Sequence, residues 1–354
     1  MSRSRMSGGV GSRPDLEQRY RRVLRMLPGY YRDAWEEDMM AAFLDSWLTG
    51  DPDTDARVLR FCRPSLPEQA SVAGLAARLY LGGAGAPRRY FAWGQAVRGA
   101  VLAVLLANAL LGLGQLLFLA RSRNLIGWLP VPPGGGGTTV SYLIGGAWVA
   151  AFLALVLRDY RSARALGGLA AAASLALLIN AQVTGIAVSP VASWAHWVLI
   201  EAVPVLALAA FHRDAPPPAR RAWLLALAAC FLLVLLPLLA LEESGHQAWV
   251  PDNPGVGCLL VSVVGLAHVP RAWSGRPDSG VWSLTVVLLA AVAGLDRIAS
   301  LTLYRPDPHL IKVGLVELLI LAVASGPAAL DAGRAQIALS PPSSPSSPSA
   351  PGLG

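Results

Sequence analysis

The sequence predicts an all-α membrane protein, a small cytosolic helical bundle followed by a polytopic transmembrane domain of about eight spans. Three observations lead there. Of the 354 residues 54% are hydrophobic and only 14% charged, with a mean hydropathy of +0.49, whereas soluble chains carry about 25% charged residues. The charge is also segregated, since 15 Arg and 11 Asp or Glu fall before residue 99 and long apolar runs fill 99–330. Finally, the arginines between those runs alternate in a way that orients a bundle of helices in a bilayer.

The first 13 residues hold no apolar stretch of signal-peptide type and are expected to be disordered. From Leu16 the apolar residues Leu16, Tyr20, Val23, Leu24 and Leu27 recur at i, i+4, i+7, i+8 and i+11, one stripe of an amphipathic helix, with Arg19, Arg21, Arg22 and Arg25 on its other side. Asp15 is a candidate N-cap and Pro28-Gly29 the stop. A second helix is expected over 31–48, with Trp35, Met39, Phe43 and Trp47 as its core stripe and Gly50-Asp51-Pro52 ending it. A third follows Pro67, with Glu68 in its first turn and Val72, Ala76, Leu79 and Tyr80 on its apolar face. Residues 14–90 thus read as a three-helix cytosolic module, small enough to be marginal alone.

The run Leu16-Glu17-Gln18-Arg19-Tyr20-Arg21-Arg22-Val23-Leu24-Arg25-Met26-Leu27-Pro28, followed by Tyr31-Arg32 and by Glu37-Asp38-Met39, resembles the helical cytosolic module called HAAS, or permease prefix, that precedes membrane segments in many bacterial proteins. The resemblance covers about residues 14–82. It implies that the module couples a membrane part to a soluble partner, a PadR-type transcriptional repressor, or precedes a transporter permease that works with an ATPase subunit. On it Tyr20, Arg21, Arg22, Tyr31, Arg32, Glu37, Asp38 and Met39 become the candidate partner-binding residues.

A helix needs about 20 apolar residues to cross roughly 30 Å of hydrocarbon. Eight candidate spans fit: 99–120, 139–157, 165–188, 190–211, 222–241, 255–269, 280–300 and 310–330. The sixth is short enough that a seven-span count is also tenable. With the N-terminus inside, Arg158, Arg161, Arg164, Arg213, Arg220, Arg221, Arg271, Arg276 and Arg334 are cytosolic, and outside loops hold Arg121, Arg123 and Arg305. The asymmetry favours eight spans with both termini cytoplasmic in the cell membrane of a bacterium. The Pro/Ser-rich stretch 338–354 cannot bury enough apolar surface to fold and is expected to be a disordered tail.

Ionisable residues inside apolar spans are costly and serve as functional candidates. They are Glu201 and His196 in the fourth span, Asp296 and Arg297 ending the seventh, and Glu317 in the eighth, with Lys312 placed to snorkel to the outer interface. At 100° per residue His196 and Glu201 stand about 140° apart on one helix, so partners are expected from neighbouring helices. Glu201 itself is expected to be protonated and hydrogen-bonded within the bundle, facing its interior, rather than paired with Arg297 or Lys312. Asn108, Gln115, Asn180 and Gln182 read as interhelical hydrogen-bonding groups.

No enzyme signature is present: there is no P-loop, no H-E-x-x-H and no G-x-S-x-G. His212-Arg213-Asp214 mimics a kinase triplet without the Asn that must follow, and Gly134–Gly137 forms a loop with no strand before it. Cys62, Cys230 and Cys258 offer neither a disulfide framework nor zinc spacing. The sequence therefore calls for no catalytic residue, cofactor or metal. It predicts a membrane sensor or accessory protein whose partners are the bilayer and a soluble protein rather than nucleic acid, with a homo-oligomer compatible; the alternative is a permease-like subunit moving a small or lipophilic solute. External loops too short to fold a ligand domain mean that a sensor of this kind would detect a lipophilic ligand or the bilayer itself.

Overall fold

A computed structural model of the chain describes residues 13–83, 86–123, 125, 139–185, 190–212, 215–237, 252–273, 279–301 and 308–339. The chain divides into two compact units, Met1–Ala86 and Pro87–Gly354. Among the described residues every regular element is helical. The N-terminal stretch before Arg13, the Gly134–Gly137 loop, Arg213, Asp214, and the tail beyond 339 lie outside the described residues.

The first unit has four helices, α1 (Arg13–Leu24), α2 (Gly29–Trp47), α3 (Pro52–Phe61) and α4 (Leu66–Tyr80), rather than the three expected. Helix α1 starts two residues before Asp15, so Asp15 is not its cap. Helix α3 is the addition, and its start explains why it is hidden. Gly50-Asp51-Pro52 does end the preceding helix, with Gly50 at φ +84°, a left-handed conformation that favours glycine. The same residues open the next helix: Pro52 occupies its first position, where a missing N–H costs nothing, and the Asp51 carboxylate accepts from the Thr54 N–H and hydroxyl. That hydroxyl bond holds the Asp51 carboxyl below its ordinary range. Asp55 accepts from the backbone N–H groups of Thr49 at 2.8 Å and Gly50 at 3.1 Å, which closes the turn.

Helix α4 begins with a capping box, in which Glu68 accepts from the Ser65 N–H at 2.6 Å and Ser65 Oγ accepts from the Glu68 N–H. Glu68 also accepts from Trp47 Nε1 at 3.2 Å, tying α4 to α2. The core is Leu16, Tyr20, Leu24, Leu27, Met40, Phe43, Val72, Ala76 and Leu79. Trp35 is not part of it, being 52% exposed. A stripe taken every four residues rotates about 40° per step, so Trp35 and Trp47 point about 120° apart, and Met40 occupies the face that Trp35 was expected to fill. Tyr80 is likewise more exposed than its α4 neighbours Val72, Ala76 and Leu79. The Tyr20 ring stacks on Phe43 with centroids 3.8 Å apart. Burial first, and then the Glu68 carboxylate, push its phenol above the ordinary value.

The second unit contains α5 (Arg88–Ser122), α6 (Thr139–Val156), α7 (Tyr160–Val183), α8 (Pro190–His196), α9 (Val203–Ala207), α10 (Arg220–Cys230), α11 (Asn253–Trp273), α12 (Ser279–Ser300) and α13 (Pro308–Ala338). A π-helical turn, Trp197–Ala202, joins α8 to α9, which ends in a 3₁₀ turn, Leu208–Ala210; a second π turn, Phe231–Leu235, follows α10. Six of the helical segments are long and apolar enough to cross a membrane, as a multi-pass protein requires: Arg88–Ser122, Thr139–Val156, Tyr160–Val183, Val191–Ala210, Gly280–Ser300 and His309–Ala338. The apolar stretch of α11, Pro254–Pro270, is shorter, and the expected fifth span is described only to residue 237.

Helices α5, α6 and α7 close on an apolar core that includes Leu105, Phe152, Leu155, Val156 and Ala163. Their backbones come close where Gly112 faces Gly145: a Cβ on Gly112 would run into the Gly145 carbonyl, and one on Gly145 would sit 2.6 Å from Gln115 Oε1. Small residues serve this purpose between apolar helices. Helices α11, α12 and α13 form a second group, in which Gly265 lies against the Ala324 carbonyl. Arginines hold the end of the α8–α9 segment, where Arg164 donates to the carbonyls of Phe211 at 2.7 Å and Leu208 at 3.4 Å, and Arg98 to that of Ala210 at 3.3 Å. Cations are favoured at a helix C-terminus, where unsatisfied carbonyls gather.

Candidate functional site

The α8–α9 segment departs from regular helix, and a cause is visible in its sequence. Pro204 has no N–H, so the carbonyl four residues earlier, that of Ile200, lacks its helical donor. Asn108 Nδ2 on α5 supplies one at 3.0 Å. Just before it the helix widens into a π turn, with the Val203 N–H donating to the Val198 carbonyl. The turn is anchored sideways by Trp197, whose Nε1 donates to the Ala171 carbonyl of α7 at 3.0 Å. Such turns are rare and concentrate at functional sites.

The π turn alters the relation between His196 and Glu201. In an α-helix they would diverge, as the sequence reading expects. Hydrogen bonding from i to i+5 instead stacks residues five apart, and both side chains line one cavity of about 360 Å³ together with Ser174, Ser193, Trp197 and Asp296. His196 Nδ1 lies 3.0 Å from Asp296 Oδ1 across to α12, within hydrogen-bond distance. The Glu201 carboxyl hydrogen-bonds Ser174 on α7, and its Oε2 is buried, without a hydrogen-bond partner among the described residues. A second cavity, of about 230 Å³, shares His196, Pro254 and Asp296 with the first and is otherwise walled by residues such as Val104, Leu110, Leu260, Leu289 and Val292.

Arg297, the neighbour of Asp296, is turned to other partners. Its guanidinium lies 2.7 Å from Asp252 Oδ2 and 2.7 Å from Glu317 Oε2, with Ser300 Oγ at 3.3 Å. Asp252 also accepts from the Gly255 N–H at 3.0 Å, at the start of α11. The intramembrane candidates therefore separate into two groups: His196, Glu201 and Asp296 around a cavity, and Arg297 with Glu317 in an ionic cluster. The hydrogen bond of Glu201 goes to Ser174.

Asp252 was not singled out in the sequence, although the Asp-Asn-Pro run before an apolar stretch is a helix-start signal. Ser174 carried no signal at all. The same holds for a chain at the opposite end of α11–α13, where Ser283 Oγ donates to Asp331 Oδ2 at 2.6 Å and lies 2.7 Å from His268 Nε2. Since the hydroxyl proton is committed to Asp331, His268 is the donor in the second bond. Ser283 is fully buried, and this chain joins helices.

In the first unit, Arg21 is held by three carboxylates, those of Glu17, Glu36 and Glu37, at 2.9, 3.2 and 2.9 Å. Of the candidate partner residues, the Tyr20 ring is buried, while Arg22, Glu37 and Asp38 are exposed and Arg21, Tyr31, Arg32 and Met39 half-buried. Among the described residues no group of three or more His, Cys, Asp or Glu side chains could hold a metal ion, and Cys62, Cys230 and Cys258 are free thiols. Comparison with protein-family models, curated proteins and solved structures finds no match to this chain.

Proposed function

We propose that the chain is a membrane sensor or accessory protein, in which occupancy of the cavity around His196, Glu201 and Asp296 is passed through the N-terminal helical unit to a soluble partner, such as a PadR-type repressor. The observation that carries the reading is the cavity itself, which gathers ionisable side chains from helices that are otherwise apolar, where such groups are expensive to keep. The separation of the chain into two compact units supports it, as do the HAAS-like residues of α1 and α2. In this reading the second unit crosses the cell membrane eight times and both termini face the cytosol. A periplasm-active phosphatase fused after Gln247 then gives high activity and one fused after Ala215 gives none; the reverse pattern would defeat the topology. For the role itself, a photo-crosslinker at Asp38 of the full-length chain in native membranes should capture one soluble protein, and the yield should change in Glu201→Gln.

A second reading, a permease-like subunit, is favoured by one feature. The Pro204-interrupted helix with Glu201 in its distorted turn is the kind of broken span on which transporters place their substrate sites. Solute uptake by proteoliposomes holding the chain alone, or with an ATPase subunit, that disappears in Glu201→Gln would select it.

A further inference from the structure

We infer that the cavity takes an amphiphilic monocation: an ammonium headgroup, protonated or quaternary, carrying an alkyl tail. The inference rests on the reading of this cavity as a ligand site and names what the ligand must be.

The charge balance gives the sign. Three ionisable side chains line the cavity, those of Glu201, Asp296 and His196, and Asp296 and His196 pair with one another. Two carboxyls therefore share the lining with one imidazole, and a Glu201 ionised on ligand entry draws a positive charge strongly in a low-dielectric surrounding. An anion would instead lie against the Glu201 and Asp296 carboxyls. Glu201 and Trp197 both line the pocket, and a carboxylate with an aromatic face is a fitting environment for an ammonium group.

The neighbouring cavity gives the tail. It meets the first at the His196–Asp296 pair and Pro254, and its remaining walls are almost entirely aliphatic. A headgroup against Glu201 and Asp296 would leave its chain directed past that pair into an apolar slot. A bare metal ion would leave the slot empty, and a short hydrophilic amine would forgo it. The ligand class that uses both parts is one that partitions into a bilayer and enters from it.

The test uses the full chain in phosphatidylcholine nanodiscs with radiolabelled dodecyltrimethylammonium as probe and empty nanodiscs as the blank. Saturable binding is expected. Tetramethylammonium, which keeps the head and lacks the tail, should compete about tenfold or more less well, and dodecyl sulfate, which keeps the tail and reverses the charge, should not compete. Glu201→Gln and Asp296→Asn should each weaken binding about tenfold or more, corresponding to at least 1.4 kcal/mol. Ala107→Phe, which narrows the apolar slot, should weaken dodecyltrimethylammonium and leave tetramethylammonium unchanged. Glu201→Asp keeps the charge and should retain binding, which separates loss of the site from loss of the fold. Absence of saturable binding, equal competition by dodecyl sulfate, or unchanged affinity in both carboxamide variants overturns the proposal. Binding with no change in partner crosslinking overturns the sensor role and leaves the pocket standing; ligand-independent crosslinking that still responds to Glu201→Gln, with no binding, overturns the pocket alone.

Discussion

The two helix groups of the second unit are held together by different forces. Helices α5, α6 and α7 meet through apolar side chains and a glycine contact, whereas α11, α12 and α13 are joined by the Asp252–Arg297–Glu317 cluster at one end and by His268–Ser283–Asp331 at the other. In lipid the tails are as apolar as leucine, so the first group gains little from hydrophobicity and depends on close packing. Packing of that kind tolerates many sequences. A buried ion cluster does not, because removing one member strands the others. The difference teaches where tolerance to substitution ends: the polar group can be broken by a single charge, the apolar group only by a change of shape.

The largest effect should come from Arg297→Leu, which removes the cation that Asp252 and Glu317 share and should cost about 3–5 kcal/mol, measured as unfolding in mixed micelles. Adding Asp252→Asn and Glu317→Gln to that variant should return most of the loss. If it does not, α11–α13 is held by packing after all and the contrast between the groups fails.

Gly112→Leu should be next. Its side chain must displace the Gly145 carbonyl, an overpacking cost of about 1–3 kcal/mol. Gly146→Leu, beside open space, is the matched control and should change stability little. Equal effects at the two positions would remove the close approach as the feature that holds α5 to α6.

Between the groups, Asn108→Leu should cost about 0.6–1.7 kcal/mol, the range of hydrogen bonds between membrane helices. The loss should shrink in a Pro204→Ala background, because alanine restores the N–H that the Ile200 carbonyl otherwise lacks. An undiminished loss would show that Asn108 acts by packing.

The smallest effect lies in the first unit, which gives a water-exposed reference for both groups. The Thr54 hydroxyl bond lowers the folded-state Asp51 carboxyl, so its contribution is fully present above the ordinary aspartate value of about 3.9 and is lost as pH falls through the lower folded value. Thr54→Ala should move the Asp51 midpoint up towards the ordinary value in an NMR titration. A midpoint that does not move would assign the shift to the backbone.

Much of this was legible in the chain. Leu16, Tyr20 and Leu24 announce their core face by spacing alone, because burial of a short amphipathic helix follows its period. Long apolar runs likewise mark the membrane-capable helices, since length and hydropathy are properties of the segment by itself. Helix α3 was hidden because Gly50-Asp51-Pro52 serves as stop and start together, and a stop is the stronger local signal. Trp35 misled because a four-residue repeat drifts off the true helical period.

The site divides in the same way. The residues Glu201, His196, Asp296, Arg297 and Glu317 stand out from composition, since an ionisable group among apolar neighbours is conspicuous in any sequence. Their assembly was decided only by tertiary structure. Pro204 deprives Ile200 of a donor in the sequence itself, but that the helix answers with a π turn, and that Asn108 from another helix fills the vacancy, depends on what packs alongside. That turn brings His196 and Glu201 onto one cavity and gives Asp296 to the histidine, while Arg297, one residue on, faces Asp252 and Glu317. A chain of residues states which charges must be buried; the register in which helices meet decides which of them share a pocket.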